Sequence, residues 1–391
     1  MKHAGCARFA YNWGLARAQE VYRTIGKCPT AIDLHKQLNA LKPTDFPWMY
    51  EVSKCAMQEA LRDLDKAYRH FFRKLRLKKE GKFKGKVGYP RFKKKSQTIG
   101  SFRLTGSLKV FSDAIQLPRL GRLRLKEKDY LPTSAKILSA TVSEQAGRWY
   151  VSLQVEEEQI TPERTATSAV GVDLGIKTLA TLSNGTTFSN PRALKYVQKK
   201  LKRLERRKAR RAKGGKNRKK ACKQLAKQHA RIAHIRRDAA HKLTSYLAKN
   251  YALVAIENLH VSGMLKNHKL VQAVGDSNFG EIRRQLTYKS ELYGTHLIVI
   301  DRFYPSSKTC SACGYIKAEL SLSERAYTCA SCGLVLDRDV NAAVNLLNEA
   351  LRTTVSSTGS HACGVDSSGL FDGTSETVHA EAGTNQHLGL S

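Results

Sequence analysis

Apolar positions recur every three to four residues in the opening segment CARFAYNWGLARAQEVY, and again in SKCAMQEALRDLDKAYRHFF. That spacing lines one face of a helix, so residues 1 to about 75 are predicted helical. From about Thr98 to Glu156 the pattern changes to short alternating stretches: SFRLTG, LKVFS, AIQLP, GRLRL, AKILSATVSE and RWYVSLQVE. Turn residues separate them, which predicts an antiparallel barrel or small sandwich. ITPERTATS then reads as a polar linker. A third pattern opens at Ala169, where AVGVDLGIKTLATLSNGTTFS predicts strand, bend, strand and an Asn-Gly hairpin turn. YALVAIENL and THLIVID are apolar, β-rich runs of the kind buried on both faces. NFGEIRRQLTYKSELYG between them is an amphipathic helix, and DVNAAVNLLNEALR is the last one. After Leu351 the remaining 40 residues hold 19 Gly, Ser or Thr and one basic residue, which predicts a disordered tail.

Charge changes the picture. The 391 residues are 41% hydrophobic, enough for two or three domains with their own cores. Yet 68 Lys and Arg face 33 Asp and Glu, a net charge of +35. A folded chain with that surplus repels itself and calls for a polyanion partner. Residues 71–100 carry 12 basic residues and one acidic, with Phe83, Tyr89 and Phe92 interleaved. That mixture suits nucleic-acid backbone and base contact better than a merely solvated loop. Residues 201–240 carry 17 Lys or Arg and two acidic residues, broken by GGKN, and phosphate contact is the preferred reading there too. Arg206, Arg207, Arg210 and Arg211 sit at its densest point. No apolar run reaches the roughly 20 residues of a membrane span and no signal peptide is visible, so a cytosolic, membrane-free protein is expected.

Nine cysteines in a reducing compartment read as metal ligands or buried thiols. Cys310, Cys313, Cys329 and Cys332 form Cys-x2-Cys-x15-Cys-x2-Cys, the spacing of a zinc ribbon. Gly314 and Gly333 follow the pairs and supply the left-handed turn of a knuckle. Four thiolates leave no open position on the ion, so one structural Zn²⁺ is expected. Cys6, Cys28, Cys55, Cys222 and Cys363 are scattered and read as core fillers.

Three acidic residues stand out. Asp173 lies in GVDLGIKT, Glu257 ends the strand YALVAIEN, and Asp339 begins the last helix in DRDVNAA. Each has a plain alternative: Asp337 and Asp339 suit a helix N-cap, and Glu257 a solvated strand end. A carboxylate closing an apolar β-rich run is costly to desolvate unless a cation or donor compensates it. The three together fit the acidic cluster of a ribonuclease-H-like sheet. A few hard oxygen ligands suit Mg²⁺ or Mn²⁺, and two such ions about 4 Å apart can activate water and stabilise a leaving 3′ oxygen.

GVDLGIKTLATLSNG, IENLHVSGM, FYPSSKTCSACG and DRDVNAAVNLL resemble the signatures of the TnpB (OrfB) family of transposon-encoded, RNA-guided nucleases, similar to compact type V CRISPR effectors. The resemblance runs from about residue 5 to 351. It implies a multidomain α+β protein: a RuvC/RNase H-like α/β nuclease core over 168–351 with a zinc ribbon inserted at 303–336, carrying Asp173, Glu257 and Asp339. It implies a helical recognition domain over 1–96, an antiparallel β-barrel (wedge) domain over 97–160, and a tail over 352–391. Its partners would be a guide RNA from the transposon end and double-stranded target DNA beside a short recognition motif, the protein being monomeric in the RNA complex and acting near the nucleoid of a bacterium or archaeon. Family members usually begin with a barrel strand ahead of the segment matching GCARFAYNWGL, whereas Met1 stands five residues before Cys6. The runner-up readings are an RNA-guided DNA binder or decayed copy that cuts little, and a cut-and-paste transposase, against which the zinc-ribbon insertion argues.

Overall fold

The periodic opening segment is one helix, α1 (Lys2–Ile25), stopped by Gly26 at φ 72°, where its amide donates to the Tyr22 carbonyl. α2 (Ala31–Leu41) starts at a capping box, with Thr30 and Asp33 satisfying each other's backbone amides. A 3₁₀ turn (Pro47–Glu51) leads to α3 (Lys54–Lys79). α1 and α3 cross at Gly14, where a Cβ would stand 2.6 Å from Leu61 Cδ2 and would make that side chain shift.

The computed structural model describes residues 1–95, 100–131, 133–158, 168–321 and 324–358. They fall into two units divided after Glu158. In the first, helices and strands share one core: Leu15, Leu61 and Leu64 pack in the same cluster as Phe102, Leu104, Ile115 and Leu117. The strands are β1 (Ser101–Leu104), β2 (Lys109–Val110), β3 (Ala114–Leu117), β4 (Gly121–Arg124), β5 (Lys136–Gln145) and β6 (Arg148–Glu156). An antiparallel barrel or small sandwich was expected; among the described residues the strands pair as two three-stranded antiparallel sheets, β1-β5-β6 and β2-β3-β4. Cys6 is buried in this core and Cys28 and Cys55 pack at its margin, Cys222 is half-buried, and Cys363 lies outside the described residues.

The second unit is built on a five-stranded sheet of order β11-β10-β7-β8-β9. β7 (Ala169–Asp173), β8 (Thr178–Leu182) and β9 (Thr187–Ser189) form the antiparallel half. β10 (Leu253–Glu257) and β11 (His296–Ile300) run parallel to β7. Val170, Val172, Val254 and Ile256 are at most 1% exposed, as strands covered on both faces require. Between β9 and β10 lie α4 (Ala193–Ala209) and α5 (Lys216–Asn250); between β10 and β11 lie α6 (Val261–Met264), α7 (Val271–Ser277) and α8 (Phe279–Tyr293). The basic region is thus two helices broken near GGKN, held together by Leu201, Leu204, Leu225 and Ile232. Buried Asp276 anchors the pair: it accepts from the backbone amides of Leu194 and Lys195 at the start of α4 and pairs with Arg236 Nε of α5 at 2.9 Å.

After β11 the chain forms a small two-stranded sheet, β12 (Ala326–Thr328) with β13 (Val335–Asp337), and passes directly into α9 (Arg338–Thr358). α9 lies against β7 so closely that a Cβ on Gly171 would stand 1.9 Å from the Ala343 carbonyl oxygen. The helix extends beyond Leu351, where the tail was expected to begin, and within it the Thr353 and Thr354 hydroxyls bond back to the carbonyls of Glu349 and Ala350. The tail from 359 onward lies outside the described residues.

Candidate functional site

Asp173 and Glu257 are the last residues of β7 and β10. These strands are adjacent and parallel, with Val172 opposite Ile256. The next residue on each strand is therefore an acid, and neighbouring strands lie about 4.8 Å apart. Two carboxylates thus leave the same end of the sheet side by side.

The third arrives from α9. Gly171 and Asp173 are two residues apart on β7 and face the same side. That side meets α9 at Ala343, through the close approach at Gly171. Asp339 is four residues, one turn, before Ala343 on the same helical face. Two residues along the strand and four back along the helix cover similar distances, about 6.6 and 6.0 Å. The missing side chain at Gly171 thereby brings Asp339 to Asp173. The electrostatics agree: burial first, then the charges of Asp339 and Glu257, push the Asp173 carboxyl up to about 7. Burial also raises Glu257. Arg338 is the nearby cation, its Nε 3.6 Å from Asp339 Oδ1, and it opposes the rise at Asp173.

Two acids competed for the helix start, and the structure separates them. Asp337 Oδ1 accepts from the amides of Asp339 (2.9 Å) and Val340 (3.1 Å), so Asp337 is the N-cap. The Asp339 carboxylate is left to face the sheet.

The cysteines converge as well. Among the described residues, Cys310, Cys313, Cys329 and Cys332 form the one group of possible ligands whose donor atoms all lie within 4.8 Å of one another. Cys310 Sγ lies 3.6 Å from Cys332 Sγ and Cys313 Sγ 3.6 Å from Cys329 Sγ. Sulfurs at about 2.3 Å from a tetrahedral zinc would stand about 3.8 Å apart, so the donor set fits the ion. Both halves use one local design. Gly314 and Gly333 adopt φ 76° and 75°, their amides donate to the carbonyls of Cys310 and Cys329, and Cys310 and Cys329 donate to the carbonyls of Tyr315 and Leu334. The amides of Cys332 and Ser331 point at Cys329 Sγ and lower its thiol, whereas the neighbouring sulfurs raise that of Cys332.

What ties the knuckles to the acids was missed in the sequence. Asn341 and Asn345 lie on the buried side of α9, at 0% and 2% exposure. Asn341 brackets Cys310: its Nδ2 donates to the Thr309 carbonyl at 2.8 Å and its Oδ1 accepts from the Ser311 amide at 3.0 Å. Asn345 Nδ2 donates to the carbonyls of Ser306 and Thr309. The signal was present as two amides spaced i, i+4 within an otherwise apolar stripe, DVNAAVNLL.

The predicted nucleic-acid contacts lie on the surface. Arg206 and Arg207 end α4, and Arg210 and Arg211 occupy the turn before α5, all four exposed and without a carboxylate partner among the described residues. The aromatics after α3 are partly accounted for by packing: Tyr89 meets Tyr68 and Phe71 edge-on at 5.6 and 5.2 Å, and Lys74 lies over Phe83. Phe92 stays 50% exposed. Among the described residues no helix is long and apolar enough to cross a membrane.

Three family models match the chain: OrfB_IS605, described as a probable transposase, over 152–268; the Cas12f1-like TNB domain over 279–346; and a helix-turn-helix domain of OrfB_IS605 over 1–27. A protein of Streptomyces pristinaespiralis assigned by name as an RNA-guided DNA endonuclease is 37% identical over 359 residues, 91% of this chain and 86% of the relative. InsQ of Escherichia coli (strain K12), assigned the same way, is 34% identical over 364 residues, 88% of this chain and 87% of the relative. Among solved structures, the protein of a Cas12f1–sgRNA–target DNA complex matches with TM-score 0.52 at 16% identity, over 89% of this chain and 81% of that one. The shared fold is a multidomain α+β arrangement.

Proposed function

The chain belongs to the TnpB/OrfB family of transposon-encoded RNA-guided DNA endonucleases, and from that membership we propose that it hydrolyses target DNA phosphodiester bonds under the direction of a bound guide RNA. The observation that carries the reading is the meeting of Asp173, Glu257 and Asp339 at one end of the five-stranded sheet, with the Asp173 carboxyl pushed up to about 7 by burial and its acidic neighbours. The second unit, in this reading, is a RuvC-like nuclease core interrupted by a zinc ribbon. The helices and small sheets of the first unit serve recognition.

The donor set fits Mg²⁺ or Mn²⁺: hard oxygens only, on a charge cluster that a dication would relieve. Ions bound there would supply an activated water and charge for the departing 3′ oxygen. The chain's own contribution is positional. β7 and β10 hold two carboxylates in fixed register, and the cap at Asp337 frees Asp339 to complete the set. The zinc knuckle, gripped through Asn341 and Asn345, fixes how α9 begins. The exposed Arg206, Arg207, Arg210 and Arg211 offer phosphate contacts to the guide, in a complex containing one copy of the protein in the cytoplasm.

The test is cleavage of a double-stranded target by protein carrying its guide RNA, in Mg²⁺ or Mn²⁺. Asp173→Ala, Glu257→Ala and Asp339→Ala each abolish cutting while target binding, supplied by base pairing, remains. Full cutting by Asp339→Ala would remove it from the set.

A further inference from the structure

We propose that α1 and the 3₁₀ turn form a stacking site for one unpaired nucleobase, separate from the acidic cluster and from the arginine-rich turn. The site is an open groove of about 530 Å³ lined by Gly5, Arg8, Phe9, Asn12, Trp13 and Trp48. Two of the three tryptophans in the chain therefore stand on one groove. Trp48 is 42% exposed. Phe9 holds it edge-on at 5.3 Å and is itself braced by Phe46 at 4.9 Å, so the Trp48 ring is set at a defined angle on the surface.

Gly5 is the second observation. It lies inside the first turns of a 24-residue helix, where glycine is the poorest choice short of proline. Gly14 in the same helix has a steric reason, because a Cβ there would meet Leu61 Cδ2 at 2.6 Å. Gly5 has none: a Cβ built on it meets nothing within 4 Å. Its missing side chain leaves open space where it lines the groove.

Charge selects the occupant. Arg8 lines both this groove and an adjoining cavity of about 440 Å³, where Arg8, Lys93, Lys94 and Arg103 outnumber the carboxylates Asp63 and Glu144 and leave a net positive lining. Aromatic faces beside a cationic channel are the arrangement that takes a base by stacking and its phosphates by charge. An apolar peptide would gain nothing from the cations. A base could come from RNA or from single-stranded DNA, the chemistry being common to both. The site does not depend on hydrolysis, so it stands or falls apart from the nuclease reading.

The test uses the full-length protein freed of copurifying nucleic acid. Tryptophan fluorescence is followed while a short single-stranded RNA, its DNA equivalent, or an abasic strand with the same number of phosphates is added. A base-bearing strand quenches the emission; the abasic strand binds through charge without quenching. Gly5→Leu, whose Cβ enters open space at the groove, and Trp48→Ala each weaken binding of the base-bearing strand about tenfold, within the range expected for one stacked base. Binding of the abasic strand is unchanged in both. Quenching by RNA alone or DNA alone identifies the source of the base. Equal quenching by the abasic strand, wild-type binding by Gly5→Leu, or quenching that tracks protein concentration without any strand overturns the proposal.

Discussion

Asp173→Asn is expected to stabilise the protein while abolishing its chemistry. In the folded chain the Asp173 carboxyl rises from 3.8 to about 7. A group raised on folding keeps its proton longer in the native state than in the unfolded one. Stability therefore falls as pH climbs from about 4 to about 7, and above that the full penalty is present. At 1.36 kcal/mol per pH unit the ceiling is about 4 kcal/mol. Because the Asp173 side chain is only half-buried, water screens part of this, and about 2 kcal/mol is a fair working figure. Asparagine keeps the shape and removes the charge. For a unit of this size that corresponds to a melting point about 4 to 8 °C higher. The assay is thermal melting near pH 8 in buffer containing zinc but neither Mg²⁺ nor Mn²⁺, repeated as the pH is lowered. The gap between variant and wild type should close as the pH approaches about 4. Added Mg²⁺ should raise the wild type more than the variant, since ligand binding to the native state shifts its melting. A variant that melts no higher near pH 8, or a gap indifferent to pH, would refute the charge-crowding argument.

Three further outcomes follow from the same geometry. Gly171→Ala must move α9, because its Cβ would stand 1.9 Å from the Ala343 carbonyl oxygen; a loss of about 1 to 3 kcal/mol in stability and of most cleavage is expected, and unchanged melting would show the approach to be looser than described. Cys310→Ser should release zinc and lower the yield of soluble protein before it alters the chemistry; a metal assay finding no zinc in well-folded wild type would contradict the site. Neutralising Arg206, Arg207, Arg210 and Arg211 together should weaken RNA binding alike for different guide sequences. It should also flatten the log–log salt dependence by about 0.7 to 0.9 for each phosphate no longer neutralised; a loss confined to some sequences would point to base readout.

Much of the local structure was legible in the residues. The three-to-four spacing in CARFAYNWGL becomes α1, the alternation in RWYVSLQVE becomes β6, and the β-rich runs AVGVD and LVAIE become neighbouring buried strands. The left-handed turns at Gly314 and Gly333 followed from the cysteine spacing, since a knuckle is closed by bonds between residues no more than about five apart. These are short-range matters, set by propensity and periodicity. The tertiary structure alone decided the rest. Asp337 and Asp339 are equally good caps as residue types, and only the packing of α9 on β7 turns one to the helix amides and the other to the sheet. Gly171 in a strand signals close approach, but the partner it admits, Ala343, is 172 positions away in the chain. Asn341 and Asn345 read as faults in an apolar stripe until the backbone around Cys310 is laid against them. The β1–β6 region has the alternation of a barrel or a small sandwich, and only the pairing partners made it two sheets. Each of these depends on a second surface brought in from far along the chain, and no local pattern of residues contains that surface.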